Sequence, residues 1–506
     1  MAYLLGIDAG TTSMKAILFD YEGNIVSSAI EEYALITPEP DFAELKAETY
    51  WIACRNAIKR VLKGAKINVE DIISIAVSSQ GETLIVLGKD GKPLRNAIVW
   101  LDNRSKEECS ILKDKVDKSE FYEITGQPQL VPTWPVTKIL WIRRNEAKIF
   151  EKAFKFLLVE DYLNYKLSGN FITEYSVNSS TGMLDIKNKR WWSYILNEVG
   201  ITEDQLPALS PSGSPIGNIC EEAALETGLS KKTLVGTGAF DHAAAAIGAG
   251  NIKPGILTET TGAALAIVAT IEKPIYDPEY RIPCHCHAAP GLFFLMPWSQ
   301  TAGIVLKWYR DNFSIEEKII EERTGIDAYE LLDREAMKIP PGSEGLIILP
   351  HLMGAACPEF DPSAKGVIFG ITLKHSRAHF AKAIMESVAY MLRRNIEVLE
   401  SLGIIIKEVR SLGGAAKSLL WTKIKSDVLQ KRVIIPKVKE ASALGAAILA
   451  GVASKVFPSI DAAINSMVSI KDVIEPNYLN KSVYDKSYES YLKLYEYLKP
   501  LFLIWR

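Results

Sequence analysis

The sequence lacks the features that would direct it into a membrane, a secretory route or a nucleic-acid complex. No apolar run approaches the ~18 residues that a membrane-spanning helix requires. Cysteine is scarce: six in 506 residues, at positions 54, 109, 220, 284, 286 and 357, with no spacing that reads as a disulfide framework. Basic charge is not in excess, since 58 Lys and Arg face 61 Asp and Glu, a net charge of −3. The electrostatic footprint of a nucleic-acid binder is therefore missing. No basic region precedes the first apolar residues and Asp8 interrupts them, so a signal peptide is not expected. Cys284-His285-Cys286-His287 offers metal-binding residue types, but adjacent residues of an extended chain point to opposite faces. That spacing matches no zinc module, and the metal reading is rejected. What is present, 48% apolar and 24% charged residues, is the composition of a soluble globular protein, here long enough for two domains and of enzyme size, with a cytoplasmic location expected.

The stretch Leu4–Asp20, LLGIDAGTTSMKAILFD, organises the reading. Two apolar runs flank a small polar segment, the pattern of a hairpin of two buried strands. Gly10, Thr11, Thr12 and Ser13 make a tight turn whose amides can converge on an anion such as phosphate. Asp8 at the strand end can reach Mg²⁺ directly or through water, and Lys15 adds positive charge on the returning strand. An isolated Asp-x-Gly-Thr-Thr reads as an ordinary hairpin turn, but Gly255–Thr270, GILTETTGAALAIVAT, repeats the plan with Thr260, Thr261 and Gly262 at its bend. Two such hairpins half a chain apart suggest a duplicated α/β unit with a nucleotide held between the copies.

Further along, a third strand at 25–29, a helix at 47–64 and a buried strand at 72–78 follow the first hairpin. Gly81-Glu82 then breaks a strand; Glu82 is either an exposed loop acid or an acceptor for substrate hydroxyls. A strand at 96–102 ends in Trp100, which is core or the apolar wall of a sugar site. Residues 135–164 are helical in period. A strand at 233–238 runs into Asp241-His242 and an alanine-rich helix, where Asp241 can cap free N–H groups. In the second half, Gly303 lies near the start of a helix over 299–312. The helix at 376–402 has Ser376 as N-cap, and a strand, Gly413-Gly414 and a helix over 409–430 form a turn that lets backbone approach a nucleotide. Small residues form a helix at 442–453.

These segments, in this order, resemble the FGGY family of carbohydrate kinases over essentially the whole chain. GIDAGTTSMK is similar to the family's N-terminal phosphate motif, and Gly366–Glu386 fits its C-terminal signature; Thr133–Asn145, TWPVTKILWIRRN, fits its other signature except at Thr133. The resemblance implies an α/β protein of two ribonuclease-H-like (actin-like ATPase) domains, divided here at 248/249, with an inter-domain cleft in which ATP and sugar meet. It implies Asp241 as catalytic base and Asp8 as the metal-associated acid. Glu82, Trp100, Asp241 and His242 fall at sugar-site positions. Thr11, Thr12, Ser13, Lys15, Thr261 and Gly262 fall on the phosphate hairpins, Gly303 and Lys307 near the nucleotide, and Gly414 and Ser418 in the adenosine slot. The cofactors implied are ATP and Mg²⁺, with hydroxyls and amides of Thr11, Thr12 and Thr261 cradling the phosphates.

Departures concern the acceptor. Glycerol kinases carry Arg, Tyr, Gln and Phe where this chain has Gly81, Thr133, His242 and Ala264, and xylulokinases carry Met-His at Gly81-Glu82. An acyclic sugar, polyol or sugar acid is expected, a xylulose-like ketose being favoured. The expected partner is a small-molecule sugar, with a homodimer allowed and neither nucleic acid nor membrane involved. An actin-like chaperone ATPase would need a peptide-binding domain or polymer-contact insertions. A non-catalytic sugar sensor would be favoured by loss of Asp8 or Asp241, and both are present.

Overall fold

The computed structural model describes residues 2–504. The chain forms two compact units, each discontinuous in sequence. The first comprises residues 2–252, Thr270–Phe294 and Glu440–Ser469; the second comprises Lys253–Ala269, Leu295–Lys439 and residues 470–504. The expected division at 248/249 lies close to the first crossing, but it does not contain the two later returns to the first unit.

The first unit is built on a six-stranded sheet. Its strands are β1 (Tyr3–Ala9), β2 (Ser13–Phe19), β3 (Ile25–Glu32), β4 (Ile72–Ser79), β5 (Pro215–Asn218) and β6 (Leu234–Phe240), in the order β5-β6-β4-β1-β2-β3. β1, β2 and β3 pair antiparallel, while β4 runs parallel to β1 and β6 parallel to β4. Both runs of the opening hairpin are almost wholly buried, as their unbroken apolar character requires.

A helix from the far end of the sequence, Ala441–Ala453, packs on this sheet because its residues are small. A Cβ added to Gly6 of β1 would sit 2.0 Å from the Ala443 carbonyl oxygen. One added to Gly445 would sit 1.9 Å from that of Ala244, in the helix Asp241–Gly248. Backbone meets backbone at both points, so the Gly/Ala composition of this segment is a packing requirement. This is why 440–469 belongs to the first unit.

The second unit repeats the pairing. β7 (Ile256–Thr261) and β8 (Leu265–Ile271) form an antiparallel hairpin; β9 (Glu408–Leu412) lies parallel to β7 and β10 (Arg432–Pro436) parallel to β9. β11 (Ile470–Ile474) closes antiparallel to β10. A 25-residue helix, Arg377–Ser401, follows Ser376 and ends before Gly403, whose φ of 85° stops it. Between Ala381 and Leu392 every residue is buried, so the helix is enclosed on all sides there.

Three local expectations change. The apolar run 96–102 holds only a two-residue strand, Ala97–Ile98. The helical span 135–164 is interrupted by Lys155–Leu157, which pairs with Ile85–Leu87. The helix expected from 299 starts at Gly303. No helix among the described residues is long and apolar enough to cross a membrane.

Candidate active site

The turn of the first hairpin is closed by Gly10 N–H donating to the Ser13 carbonyl at 2.9 Å. It is braced by Tyr33, whose hydroxyl donates to the Gly10 carbonyl at 2.6 Å. Thr12 is exposed at the tip, and Thr11 and Ser13 are half-buried. The Thr11 hydroxyl is engaged within the protein, donating to Gln80 Oε1 at 3.0 Å and accepting from Trp100 Nε1 at 2.9 Å. Trp100 is thereby tied to the phosphate-type turn, a link that neither segment shows alone.

Asp8 sits opposite Lys15 in the β1–β2 register, the two charges 4.0 Å apart. Lys15 Nζ also donates to Glu440 Oε2 at 2.5 Å, a partner 425 residues away in sequence. Burial pushes the Asp8 carboxyl up to about 7; Lys15 opposes this, while Asp241 and Glu440 add to it. Burial disfavours the Lys15 charge, but Glu440 and Asp8 outweigh it and hold its pKa above the ordinary value. Asp8, with Asp241 and Glu440 in its field, is the hard oxygen donor type that Mg²⁺ takes. Among the described residues no three His, Cys, Asp or Glu side chains group as a metal site, so protein ligation alone would be sparse and water would complete it.

Asp241 is placed by an irregular strand end. The β6–β4 register shifts between Gly236 and Ala239. A Cβ on Gly238 would come 1.8 Å from the Val77 carbonyl, so only glycine permits this approach. Buried acceptors satisfy the displaced backbone: Gly238 N–H donates to Glu160 Oε1 at 3.0 Å, and Phe240 N–H to Ser176 Oγ at 3.0 Å. The Ser176 hydroxyl in turn donates to Glu174 Oε1 at 2.8 Å. Burial, then Glu174 and Asp161, push the Glu160 pKa well above the usual carboxylate range. Asp241 is the first residue of its helix, and its Oδ1 accepts the His242 N–H at 2.6 Å. Its side chain nonetheless remains 31% exposed, so a partial cap and an available carboxylate coexist.

Glu82 has a left-handed backbone, φ 57°, which turns its side chain away from the strand direction. Burial pushes its pKa up to about 7; Ser180 and Lys138 oppose this, and Asp241 adds to it. Lys138, fully buried, donates to the Glu82 and Val99 carbonyls at 2.9 and 3.0 Å, and burial pushes its pKa down to about 7. A lysine amid the apolar helix residues of Thr133–Asn145 was the signal for it, and the sequence reading did not single it out. A Cβ on Gly81 would meet Ser180 Oγ at 2.9 Å and the Phe240 ring at 3.1 Å, so the arginine of glycerol kinases has no room here. His242 meets the Phe240 ring edge-on at 5.2 Å. His285 stacks between Phe240 and Phe294 and is held neutral, its pKa about 3, by burial and by His242. It is therefore part of an aromatic layer with Phe240 and Phe294.

In the second unit, Thr261, Gly262, Gly303 and Gly413 converge through backbone. Gly303 N–H donates to the Gly262 carbonyl at 2.9 Å, and a Cβ on Gly413 would lie 2.7 Å from the Thr261 carbonyl. Gly414 follows directly and opens the turn before Leu419–Leu429. Two of the expected residues are engaged within the protein. Ser418 Oγ accepts Trp421 N–H at 3.0 Å as the cap of that helix. Thr261 Oγ1 donates to Glu259 and accepts from Lys425. Lys307, one turn beyond Gly303, is exposed and pairs with Asp311 at 3.2 Å.

Comparison with known proteins gives this geometry a family. The model of the FGGY carbohydrate-kinase N-terminal domain matches residues 3–248, and that of the C-terminal domain matches 264–454. The chain is similar to the gluconokinase of Bacillus subtilis (strain 168), 33% identical over 504 residues, covering 99% of this chain and 95% of the relative. It is also similar to the xylulose kinase of the same strain, 30% identical over 501 residues, covering 99% and 98%. Among solved structures, the ligand-bound xylulose kinase of Lactobacillus acidophilus matches with a TM-score of 0.89 at 25% identity, covering 100% of both chains. With the actin-like, ribonuclease-H-like α/β fold and both family domains spanning it, this chain belongs to the FGGY family of carbohydrate kinases and is an ATP-dependent sugar kinase.

Proposed function

We propose that the protein transfers the γ-phosphoryl group of ATP to a hydroxyl of a neutral open-chain ketose of the xylulose type. The observation that carries this reading is the position of Asp241, within the electrostatic reach of both Asp8 and Glu82. A sugar hydroxyl is too weakly acidic to ionise alone at neutral pH. Asp241 accepts its proton as the oxygen–phosphorus bond forms and the bond to the β-phosphate oxygen breaks, releasing ADP. Mg²⁺, when bound, neutralises phosphate charge, and Asp8 would hold it through water. Each unit carries a hairpin turn suited to phosphate: exposed Thr12 with the charge of Lys15 in the first, and the exposed backbone after Thr261 in the second. Gly303, Gly414 and the start of the helix at Ser418 accommodate the rest of the nucleotide.

Electrostatics favours a ketose over an aldonic acid, although relatives carry the names of both gluconokinase and xylulose kinase. Glu82 and Asp241 already repel one another, and a substrate carboxylate would add a third negative charge. Glu82, Trp100 and His242 supply the polar and apolar contacts of a polyhydroxyl chain. The test is a panel of D-xylulose, other ketoses, polyols and gluconate, with ADP release as the readout. D-xylulose is expected to show the highest kcat/KM, and a preference for gluconate would overturn the acceptor assignment. In the same assay Asp241→Asn keeps the side-chain shape but removes the base, so turnover should fall by roughly 10²–10⁴ with ATP affinity retained. Near-normal turnover would refute the role given to Asp241.

A further inference from the structure

The second unit encloses a complete ion pair directly beneath the turn of its hairpin. Glu259 on β7 and Lys425 on Leu419–Leu429 are both fully buried. Lys425 Nζ donates to Glu259 Oε1 at 2.6 Å and to Thr261 Oγ1 at 2.9 Å. The Thr261 hydroxyl donates to Glu259 Oε2 at 2.6 Å, and the Ser411 hydroxyl of β9 also donates to Glu259. Four side chains from two strands and a helix thus form one closed network. A buried ion pair is a poor stabilising device, because desolvating both charges offsets their attraction and apolar replacements are often as stable. Its position suggests another use. Thr261 is the last residue before Gly262, Ala263 and Ala264, three small exposed residues with nothing within 4 Å of a Cβ on Gly262.

We propose that Glu259 and Lys425 are positioning residues for the nucleotide. They draw the Thr261 hydroxyl inward and fix the turn that follows, which Gly262 N–H closes on the Ala264 carbonyl at 3.0 Å, and so leave the exposed backbone at Ala263 and Ala264 as the surface presented to phosphate. This rests on the ATP reading of the hairpin given above. Neither residue touches the nucleotide, and the neutral pair adds no net charge beneath it. Removing Lys425 alone would leave a buried carboxylate under the phosphate-facing turn, so the informative variant removes both charges.

The experiment compares wild type with E259L/K425M and with S411A, which deletes one bond to Glu259 and no charge. Thermal unfolding reports folding, calorimetric titration reports MgATP binding, and steady-state kinetics report KM for ATP and for the best sugar separately. The double variant is expected to melt near wild type while its ATP KM rises about tenfold and its sugar KM stays within about twofold, as misplacement of a positioned group predicts. S411A should raise the ATP KM by a smaller factor, in the same direction and with the same selectivity. A wild-type ATP KM in both variants, or a rise shared equally by the sugar, would overturn the positioning role. Failure of wild type to bind MgATP would instead refute the nucleotide reading on which it rests.

Discussion

At Glu82 three constraints meet: a left-handed backbone, a carboxyl pushed up to about 7 by burial, and a buried Lys138 bonded to the residue's carbonyl. The direction of its titration gives a test. Below about pH 7 the acid is largely protonated and can donate one hydrogen bond; above it the carboxylate accepts several. Sugar kcat/KM should therefore rise between pH 6 and pH 8. In Glu82→Gln that rise should shrink to the part carried by Asp8, whose carboxyl is also pushed up to about 7, the sugar KM should increase roughly tenfold or more, and the ATP KM should barely move. An equal effect on both substrates would indicate a general defect in folding. Asp8, Lys15 and Glu82 were legible because their segments carry a local signature: an apolar hairpin closed by small polar residues, and an acid at a strand break. Glu440, Glu160 and Lys425 were not, since each acts on a partner 78 to 425 residues away and nothing in its own neighbourhood marks it. The inward turn of the Thr261 hydroxyl was equally hidden, because threonine in a turn offers hydroxyl and amide alike.

At the scale of elements, the hairpins and the long helix were readable from period and punctuation, whereas the run at 96–102 pairs only over Ala97–Ile98, against Glu44–Leu45. Apolar character reports that a segment is enclosed; which partner it pairs with depends on the rest of the chain. The long helix Arg377–Ser401 carries a consequence of its own. Glu386 is fully buried on it, accepting Gly342 N–H at 2.9 Å and the Ser343 hydroxyl at 2.8 Å, and burial pushes its pKa up to about 7. A carboxyl whose folded pKa lies above its unfolded value of about 4.3 binds its proton more tightly in the native state. Its contribution to stability is full below that unfolded value and is lost as pH rises through about 7. Wild-type Tm should accordingly fall between pH 6 and pH 8 at constant ionic strength. Glu386→Gln should make that fall shallower, because a glutamine does not ionise while Asp8 and Glu82, also pushed up to about 7, still contribute; an identical slope in the variant would remove Glu386 from the account.

For the molecule as a whole, duplication is the feature that sequence revealed and discontinuity the one it concealed. The repeated hairpins foretold the repeated pairing of β1, β2 and β4 with that of β7, β8 and β9. The return of Glu440–Ser469 to the first unit rests on backbone contacts at Gly6 and Gly445, which require a Gly/Ala-rich helix but do not announce its partner. The candidate residues consequently divide by role. Glu82, Trp100, Asp241 and His242 lie in the first unit; Thr261, Gly262, Gly303, Gly414 and Ser418 lie in the second; the first hairpin lies in the first unit with the residues proposed for the sugar, although the ligand proposed for it is phosphate. Amide hydrogen exchange can read this division, because a bound ligand suppresses local opening where it makes contact. D-Xylulose alone should slow exchange within 80–104 and 238–246 and leave 258–264 and 411–419 unchanged. MgADP alone should slow exchange within 258–264 and 411–419, and also within 9–15. Protection by the sugar confined to the second unit, or by MgADP confined to the first, would contradict the assignment of these residues to acceptor and nucleotide.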